Sequence, residues 1–457
     1  MMGGDKAGEE RILPDQIFDL IVLGGGPTGL TAALTAASIG RTAAIIDGTP
    51  VTQTQFSGPT GLFSKALRDS AKKVKVRTLR EMGLRDTSIW KQVQDLTMDI
   101  LDASGKKNLA AIEGNRVPTV RGTAVLFEDD DPTNSKIKIE RMDGKTEYAK
   151  CRKLLFATGS RPMRLNNIAY DDVGIFDSDS IRKLSFLPRE VTIVGSGIIS
   201  IEFAKIFNYL ECKVNIIIRS SSFEGALSRI GVDHDVAVAL EEDLKSSGVN
   251  LYFDAEIDSI EKPQGAHVSE EPMKIKIKSS SSGQHMADVT SNIVMTATGR
   301  LANTQKLGLE EAGVKMEKGT ILVNGDLETS VPGVYAAGDV VGAPSLASTG
   351  IEQAITAVMR MFDQDELTDG TWMSIPPGTG KDPKSLLQSP LQYPIGIWTL
   401  PEMSFIGYTK RSAEKAGYSN VGEGRASYAN TIRGRVQGIN FGLMKIVFEK
   451  PSGKILG

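Results

Sequence analysis

The chain carries two cysteines, Cys151 and Cys212, and three histidines in 457 residues. Cysteines so placed form neither a CxxC pair nor a multi-bridge framework, and scattered histidines offer no ligand cluster. Zinc enzymes and disulfide scaffolds are thereby excluded. An excess of charge of one sign is also lacking, with 53 Lys+Arg against 56 Asp+Glu and a formal net charge of −3. Nucleic acid or an anionic membrane surface would need a basic field that this balance does not supply. No segment approaches the roughly 18–20 apolar residues that span a bilayer. The start, MMGGDKAGEER, has neither the apolar core of a signal peptide nor the basic face of a transit peptide. A cytoplasmic chain is therefore expected.

What is present is a globular composition, 40% hydrophobic and 24% charged, over a length that splits into about three domains. The apolar run Phe18–Leu23 has strand character and leads directly into Gly24-Gly25-Gly26-Pro27-Thr28-Gly29. An Ala-rich helical stretch follows to Ile39, Gly40 stops it, and a second apolar run ends on Asp47. The pattern returns at Val191–Val194, Gly195-Ser196-Gly197-Ile198-Ile199-Ser200, a helix from Ile201 and a strand Val214–Ile218 ending on Arg219. Lys136–Ile139 and Lys274–Lys278 alternate with period two, as half-exposed antiparallel strands do. Each precedes an apolar strand ending in Ala-Thr-Gly, at 157–159 and 297–299. The expected fold class is α/β: two Rossmann-like nucleotide-binding domains with inserted β-meanders. The Ser279–Ser282 run reads as a flexible hairpin tip.

The glycine spacing has a mechanical meaning. In Gly24-x-Gly26-x-x-Gly29 the first glycine permits the tight turn, the second lets backbone approach a pyrophosphate, and the third lets helix and strand pack closely. The pyrophosphate then lies at a helix N-terminus, where unpaired N–H groups and the dipole favour negative charge. Asp47 stands where a carboxylate accepts ribose hydroxyls. In the second copy Gly195 and Gly197 keep their places, but Ser200 replaces the third glycine, which predicts a slightly wider helix–strand spacing. Arg219, followed by Ser220, Ser221 and Ser222, replaces the acid. A guanidinium clamps a 2′-phosphate that a carboxylate would repel, so NADP(H) is the expected ligand there.

These residues, with LLFATGSRP (154–162), ATGRLAN (297–303) and GVYAAGDV (333–340), resemble the pyridine nucleotide–disulfide oxidoreductase family. The resemblance implies FAD in the first nucleotide domain and NAD(P)(H) in the second. It implies that Thr158, Gly159, Gly338 and Asp339 contact FAD and that Gly299 lines the second site. It also implies a Lys65–Glu202 pair beside the flavin, where a cation stabilises negative charge on the ring and the carboxylate orients it. Disulfide reductases of the family carry a Cys-x4-Cys before the Ser64-Lys65 motif, and here those places are Phe56 and Gly61. Without a dithiol, electrons have no route to a disulfide, and disulfide reductase and lipoamide dehydrogenase activities are excluded on chemistry. The segments GDVVGAPSLAS (338–348) and TLPEM (399–403) are similar to the family's transhydrogenases. They imply hydride exchange between NADPH and NAD+, with NADP(H) and NAD(H) as small-molecule substrates and no nucleic-acid or membrane partner.

The expected organisation is an FAD-binding domain at 1–160 and 300–365, an NAD(P)-binding domain at 161–299, a linker or insertion at 366–392, and a truncated α+β interface domain at 393–457. The resemblance implies a homodimer. Against it stands an interface domain cut in mid-sheet, which predicts an unpaired edge and exposed apolar surface. An NAD(P)H oxidase or diaphorase shares every binding motif. A dinucleotide-binding module without turnover is a further reading, to which the altered Val51–Phe63 loop and the short C-terminal segment belong.

Overall fold

A computed structural model describes residues 12–50, 56–58, 60–127, 134–362, 394–399, 401–438 and 441–457. The linker expected at 366–392 lies outside the described residues. The chain divides into two compact units. One comprises Met1–Leu62, Met98–Arg161 and Leu301–Gln388, the other Phe63–Thr97, Pro162–Arg300 and Ser389–Gly457.

In the first unit the strand Ile17–Leu23 pairs in parallel with Ala43–Asp47 on one side and Thr146–Phe156 on the other. Its apolar run is buried on both faces, as the central strand of a parallel sheet must be. Val334–Ala336 adds a further parallel strand beside Thr146–Phe156. Thr119–Phe127, Ser135–Arg141 and the first half of Thr146–Phe156 form the expected antiparallel meander. Its period-two alternation buries Ile137 and Ile139 and turns the lysines outward. One sheet face packs on the helix Pro27–Ser38, where Ala32, Ala33 and Ala36 meet the core together with Ala354 and Ala357 of the helix Ala347–Met361. Alanine at these positions lets the two helices close on one another.

The second unit repeats the construction. Its parallel sheet runs Asn250–Tyr252, Lys213–Ile217, Glu190–Val194, Ile293–Thr296, Ile175–Asp177. A separate antiparallel sheet is formed by Ala255–Glu261, Met273–Ser279 and His285–Ser291. Both inserted meanders thus agree with the alternation read from the sequence. Trp90 is fully buried against Phe207, and its indole N–H donates to the Leu184 carbonyl at 2.6 Å. That bond satisfies the one polar group of a large apolar ring.

The same unit includes the hairpin Val421–Ser427 with Leu443–Glu449. Lys445 ties it to the start of the helix His234–Ser246, donating to both oxygens of Asp233 and to Asp235 at 3.0 Å, with Glu423 at 2.6 Å. His234 is the first residue of that helix and is exposed; Asp233 is its N-cap and accepts the Asp235 N–H. Ile432, Val436 and Met444 stand largely in solvent. Among the described residues no helix is long and apolar enough to cross a membrane.

Candidate functional site

Each glycine turn is pressed against its own Ala-Thr-Gly strand end. Gly24 has φ +119°, and a Cβ there would lie 2.3 Å from the Ala157 carbonyl oxygen. Gly195 has φ +129°, and a Cβ there would lie 2.3 Å from the Ala297 carbonyl oxygen. Two segments more than a hundred residues apart in the sequence solve one steric problem in the same way. The third glycine is as tightly constrained, since a Cβ on Gly29 would fall 1.9 Å from the Gly24 carbonyl oxygen. In the second copy Ser200 is accommodated by turning its hydroxyl onto the Gly195 carbonyl, with a hydrogen bond of 2.8 Å.

The middle glycines behave differently. Gly26 and Gly197 are the N-caps of the helices Pro27–Ser38 and Ile198–Tyr209, neither helix has a side-chain cap, and no atom lies within 4 Å of a Cβ built on either glycine. Open space thus faces the uncapped N-terminus of each helix, whose first amides have no intrahelical acceptor. A pyrophosphate fits this cradle, with fixed donors and a favourable dipole. Gly25 has no such room, because Asp47 and Phe56 flank it at 2.6 and 2.8 Å from the Cβ position.

Asp47 ends the strand Ala43–Asp47, buried as the second strand's acid should be. Its Oδ1 accepts from Gly25 N–H at 3.3 Å and from Thr49 Oγ1 at 3.0 Å, so the carboxylate also braces the glycine turn. Asp339 is the second residue of the short 3-10 turn Gly338–Val341 after the strand Val334–Ala336, and Ser160 Oγ donates to it at 2.5 Å. Thr158 and Gly159 are bound to Asn303. Thr158 Oγ1 donates to the Asn303 carbonyl at 2.7 Å, and Asn303 N–H donates to the Gly159 carbonyl at 2.9 Å. Two residues that the sequence reading passed over complete this cradle. Thr28 fits beside Gly338 and Gly350, where a Cβ would meet its Oγ1 at 2.6 and 2.2 Å. Gln353, buried on the helix Ala347–Met361, accepts the Gly338 N–H at 2.7 Å. A glutamine nearly two turns into a helix carries no local signal that its side chain serves a turn earlier in the chain.

In the second unit Arg219 follows the strand Lys213–Ile217 and is exposed; its guanidinium has no ion pair among the described residues. Ser220 is beside it, and its carbonyl accepts the Asp254 N–H at 2.9 Å. Ser222 caps the short helix Phe223–Leu227 by accepting the Gly225 N–H, which commits its hydroxyl to structure. The serine tip expected to be flexible is instead gathered on Asp254, which accepts from Ser279, Ser280 and Ser281 at 2.7, 2.6 and 2.6 Å. The Ser280, Ser281 and Ser279 hydroxyls hold the carboxyl at a pKa of about 2. Gly299, at φ +137°, has open room around its Cβ position apart from Met163 at 3.9 Å.

Lys65 and Glu202 do meet. Lys65 Nζ donates to both carboxylate oxygens of Glu202, at 2.8 and 2.6 Å, and Ser64 Oγ donates to Oε2 at 3.1 Å. Lys65 lies on the helix Thr60–Ala71 and Glu202 on the helix Ile198–Tyr209, and the carboxylate is almost wholly buried. A buried carboxylate without a cation would be costly, and the pair compensates for it with bidentate geometry. Phe56 fills its position with a ring packed into the core beside Leu20 and Val22. Gly61 lies in the helix Thr60–Ala71. Cys151 and Cys212 are both buried and free. Burial pushes the Cys151 thiol up to about 12, which leaves it inert.

Comparison with known proteins gives a consistent result. Residues 18–359 match the family profile described as pyridine nucleotide-disulphide oxidoreductase, and residues 393–457 match that family's dimerisation domain. The chain is 30% identical over 450 residues to a soluble pyridine nucleotide transhydrogenase of Marinomonas sp. (strain MWYL1), covering 96% of this chain and 87% of that protein. It is 30% identical over 449 residues to the protein of that name from Colwellia psychrerythraea (strain 34H / ATCC BAA-681), covering 96% and 86%. Among solved structures it resembles LpdA from Mycobacterium tuberculosis, with a TM-score of 0.76 at 22% identity over 96% of this chain and 89% of the other. The HOCl-induced flavoprotein disulfide reductase RclA from Escherichia coli gives a TM-score of 0.72 at 20% identity, covering 96% and 88%. At these identities the two structures speak for the fold.

Proposed function

The chain belongs to the pyridine nucleotide–disulphide oxidoreductase family, and from that premise we propose that it is an FAD-dependent NAD(P)+ transhydrogenase, a cytoplasmic homodimer that exchanges hydride between NADPH and NAD+. The observation that carries this reading is the occupant of the dithiol position. Two nucleotide cradles are built by the same device, yet a buried phenylalanine, Phe56, and a helical glycine, Gly61, stand where a disulfide reductase needs sulfur. Electrons that enter from nicotinamide therefore have no dithiol at these positions to leave by, and a second nicotinamide is the acceptor assigned here.

We assign FAD to residues 1–160 and 300–365 and the nicotinamide nucleotides to residues 161–299, with 393–457 as the interface domain. FAD, when bound, supplies a ring that takes a hydride from one nicotinamide and gives it to another. Gly24, Gly26 and Gly29 admit its pyrophosphate to the helix N-terminus, Asp47 receives ribose hydroxyls, and Thr158, Gly159, Gly338 and Asp339 complete the cradle. Gly195, Gly197, Ser200 and Gly299 form the second cradle. Lys65 is assigned the role of a fixed positive charge facing the flavin. Glu202 keeps that charge in place, so no reorganisation is needed when negative charge develops. Arg219 and Ser220 are assigned to the 2′-phosphate. A guanidinium that is exposed and has no ion pair among the described residues receives a phosphate without breaking a prior pair, and a nucleotide with a 2′-hydroxyl in its place meets no repulsion there.

The test is an anaerobic absorption spectrum of purified protein loaded with FAD. Addition of NADPH is expected to bleach the flavin band, and subsequent NAD+ to restore it with formation of NADH. Restoration by oxygen or a quinone but not by NAD+ would replace transhydrogenation by an oxidase or diaphorase activity. Failure to retain FAD at all would reduce the chain to a binding module.

A further inference from the structure

Glu202 has one more donor than the lysine and the serine supply. The Trp398 N–H, 196 residues further along the chain, donates to Glu202 Oε1 at 3.1 Å. The antiparallel pairing of Ile395–Ile397 with Met403–Phe405 holds the backbone of that segment, and the side chain that grips the residues between the two strands is Arg68. It lies one turn after Ser64 and Lys65 on the helix Thr60–Ala71, so Ser64 and Arg68 share a face at i and i+4. Arg68 is only 4% exposed. Its guanidinium carbon sits 4.9 Å from the centroid of the Trp398 ring, and its Nη1 donates to Glu402 Oε1 at 2.7 Å. Nε donates to Asp69 Oδ1 at 3.0 Å.

The chemistry of these contacts is specific to arginine. The planar cation stacks on the indole with its face while its edge reaches two carboxylates. Trp398 and Glu402 are themselves rather exposed, so the buried Ile397 and Thr399 beside Trp398 do not fix the side chains of either. The Ile397–Met403 pair of the two strands sets the separation of Trp398 and Glu402, and Thr399 Oγ1 donates to the Pro401 carbonyl at 2.5 Å. Arg68 thus holds Trp398 and Glu402 together, and Trp398 so held presents its N–H to Glu202.

We propose that Arg68 is a positioning residue of the Lys65–Glu202 pair: it clamps the side chains of Trp398 and Glu402 so that the Trp398 N–H fixes the rotamer of Glu202, and through it the place of the Lys65 charge. The proposal rests on the reading of Lys65–Glu202 as the flavin-facing pair. Removing the clamp leaves the pair its charges but lets the carboxylate rotate, which degrades the electrostatics of turnover without touching nucleotide recognition.

The experiment uses the full chain in wild-type, Arg68→Met, Arg68→Lys, Glu402→Ala and Glu202→Gln forms, and the Arg68→Met/Glu202→Gln double variant. Tryptophan emission is recorded without FAD, with Trp398→Phe subtracted to isolate Trp398. Arg68→Met is expected to shift the Trp398 contribution to the red and to lower kcat about tenfold, with KM for NADPH within about twofold. Arg68→Lys is expected to fall between, because an ammonium cannot stack and pair together. The double variant is expected to turn over no more slowly than Glu202→Gln alone, since both act through one carboxylate. Additive losses, or an unchanged Trp398 emission, would overturn the positioning role. Glu402→Ala, at an exposed position, tests the same clamp should Arg68→Met not fold: the emission shift with a smaller kcat loss supports the clamp, and no change in either overturns it. A Glu202→Gln variant with wild-type kcat would instead overturn the reading of the pair itself.

Discussion

Ser200 donates its hydroxyl to the Gly195 carbonyl oxygen at 2.8 Å and thereby stands in for the third glycine of the turn. The equivalent position in the first unit has no such latitude. A Cβ on Gly29 would lie 1.9 Å from the Gly24 carbonyl oxygen and 3.0 Å from Val22 Cγ1. Gly29→Ser is therefore expected to cost the first unit about 1–3 kcal/mol or more, because backbone must move to admit the side chain. Loss of retained FAD on gel filtration and a lowered melting temperature would report it. Ser200→Gly should cost only about 1 kcal/mol, the worth of one intramolecular hydrogen bond, and leave NADPH binding intact. Equal damage from the two changes would show that the copies are not built to the same tolerance.

That asymmetry separates what the sequence could tell from what it could not. The glycine turns and the Ala-Thr-Gly strands were legible because each solves a local steric problem with a fixed spacing, and the Ala157 and Ala297 carbonyls sit the same 2.3 Å from the Cβ positions of Gly24 and Gly195. The Lys65–Glu202 pair was legible only through resemblance. Gln353 on the Gly338 amide and the Trp398 amide on Glu202 have no local pattern at all, being side chain–backbone bonds over long separations. The serine run misled in the opposite sense. Composition reads it as loose, whereas one acid, Asp254, organises three of its hydroxyls.

Arg219 is the second point of test. If it receives the 2′-phosphate, Arg219→Glu should raise KM for NADPH at least about tenfold while leaving KM for NADH within about twofold, because only NADPH meets the reversed charge. Steady-state kinetics with each donor reads the ratio directly. Equal losses for both nucleotides would remove Arg219 from the phosphate site.

Asp254 anchors the same region from below. Its backbone has φ +47°, its N–H donates to the Ser220 carbonyl, and Ser280 Oγ, which bonds its carboxylate, lies 3.2 Å from the Arg219 carbonyl oxygen. Asp254→Ala removes the acceptor and places a β-carbon residue less suited than aspartate to left-handed backbone. Amide exchange at 279–283 is expected to quicken at least about tenfold, as the tip loses its side-chain bonds. Because the carboxyl titrates at about 2, tip protection in the wild type should be constant from neutral pH down to mildly acidic pH. A loss of protection in that interval would assign the anchoring elsewhere.

Lys445 gives the pH prediction with the most complete sign. Burial alone would lower its pKa, but hydrogen bonds to Glu423, Asp233 and Asp235 raise it above the ordinary lysine value of 10.5. Its contribution to stability is thus present below that ordinary value and lost only as pH rises through the raised one. Asp235 and Glu423 are shifted the other way: burial would raise them, and the Lys445 hydrogen bonds hold them below their ordinary values of 3.8 and 4.5. Their contribution is present above those ordinary values and lost as pH falls through the depressed ones. The hairpin Val421–Ser427/Leu443–Glu449 should accordingly stay attached through neutral and mildly acidic pH and exchange its amides faster only in stronger acid. Lys445→Met is expected to reverse the acid response. With the cation gone, Asp235 and Glu423 repel each other across Arg425, at 2.9 Å from Asp235 and 3.4 Å from Glu423, with Lys410 acting on Glu423 and His234 on Asp235 as weaker countercharges, so protonation now relieves the repulsion. Hydrogen exchange of the hairpin at neutral pH and near the carboxylate range distinguishes the two. A variant hairpin that still loosens on acidification would show that its attachment does not depend on this cluster.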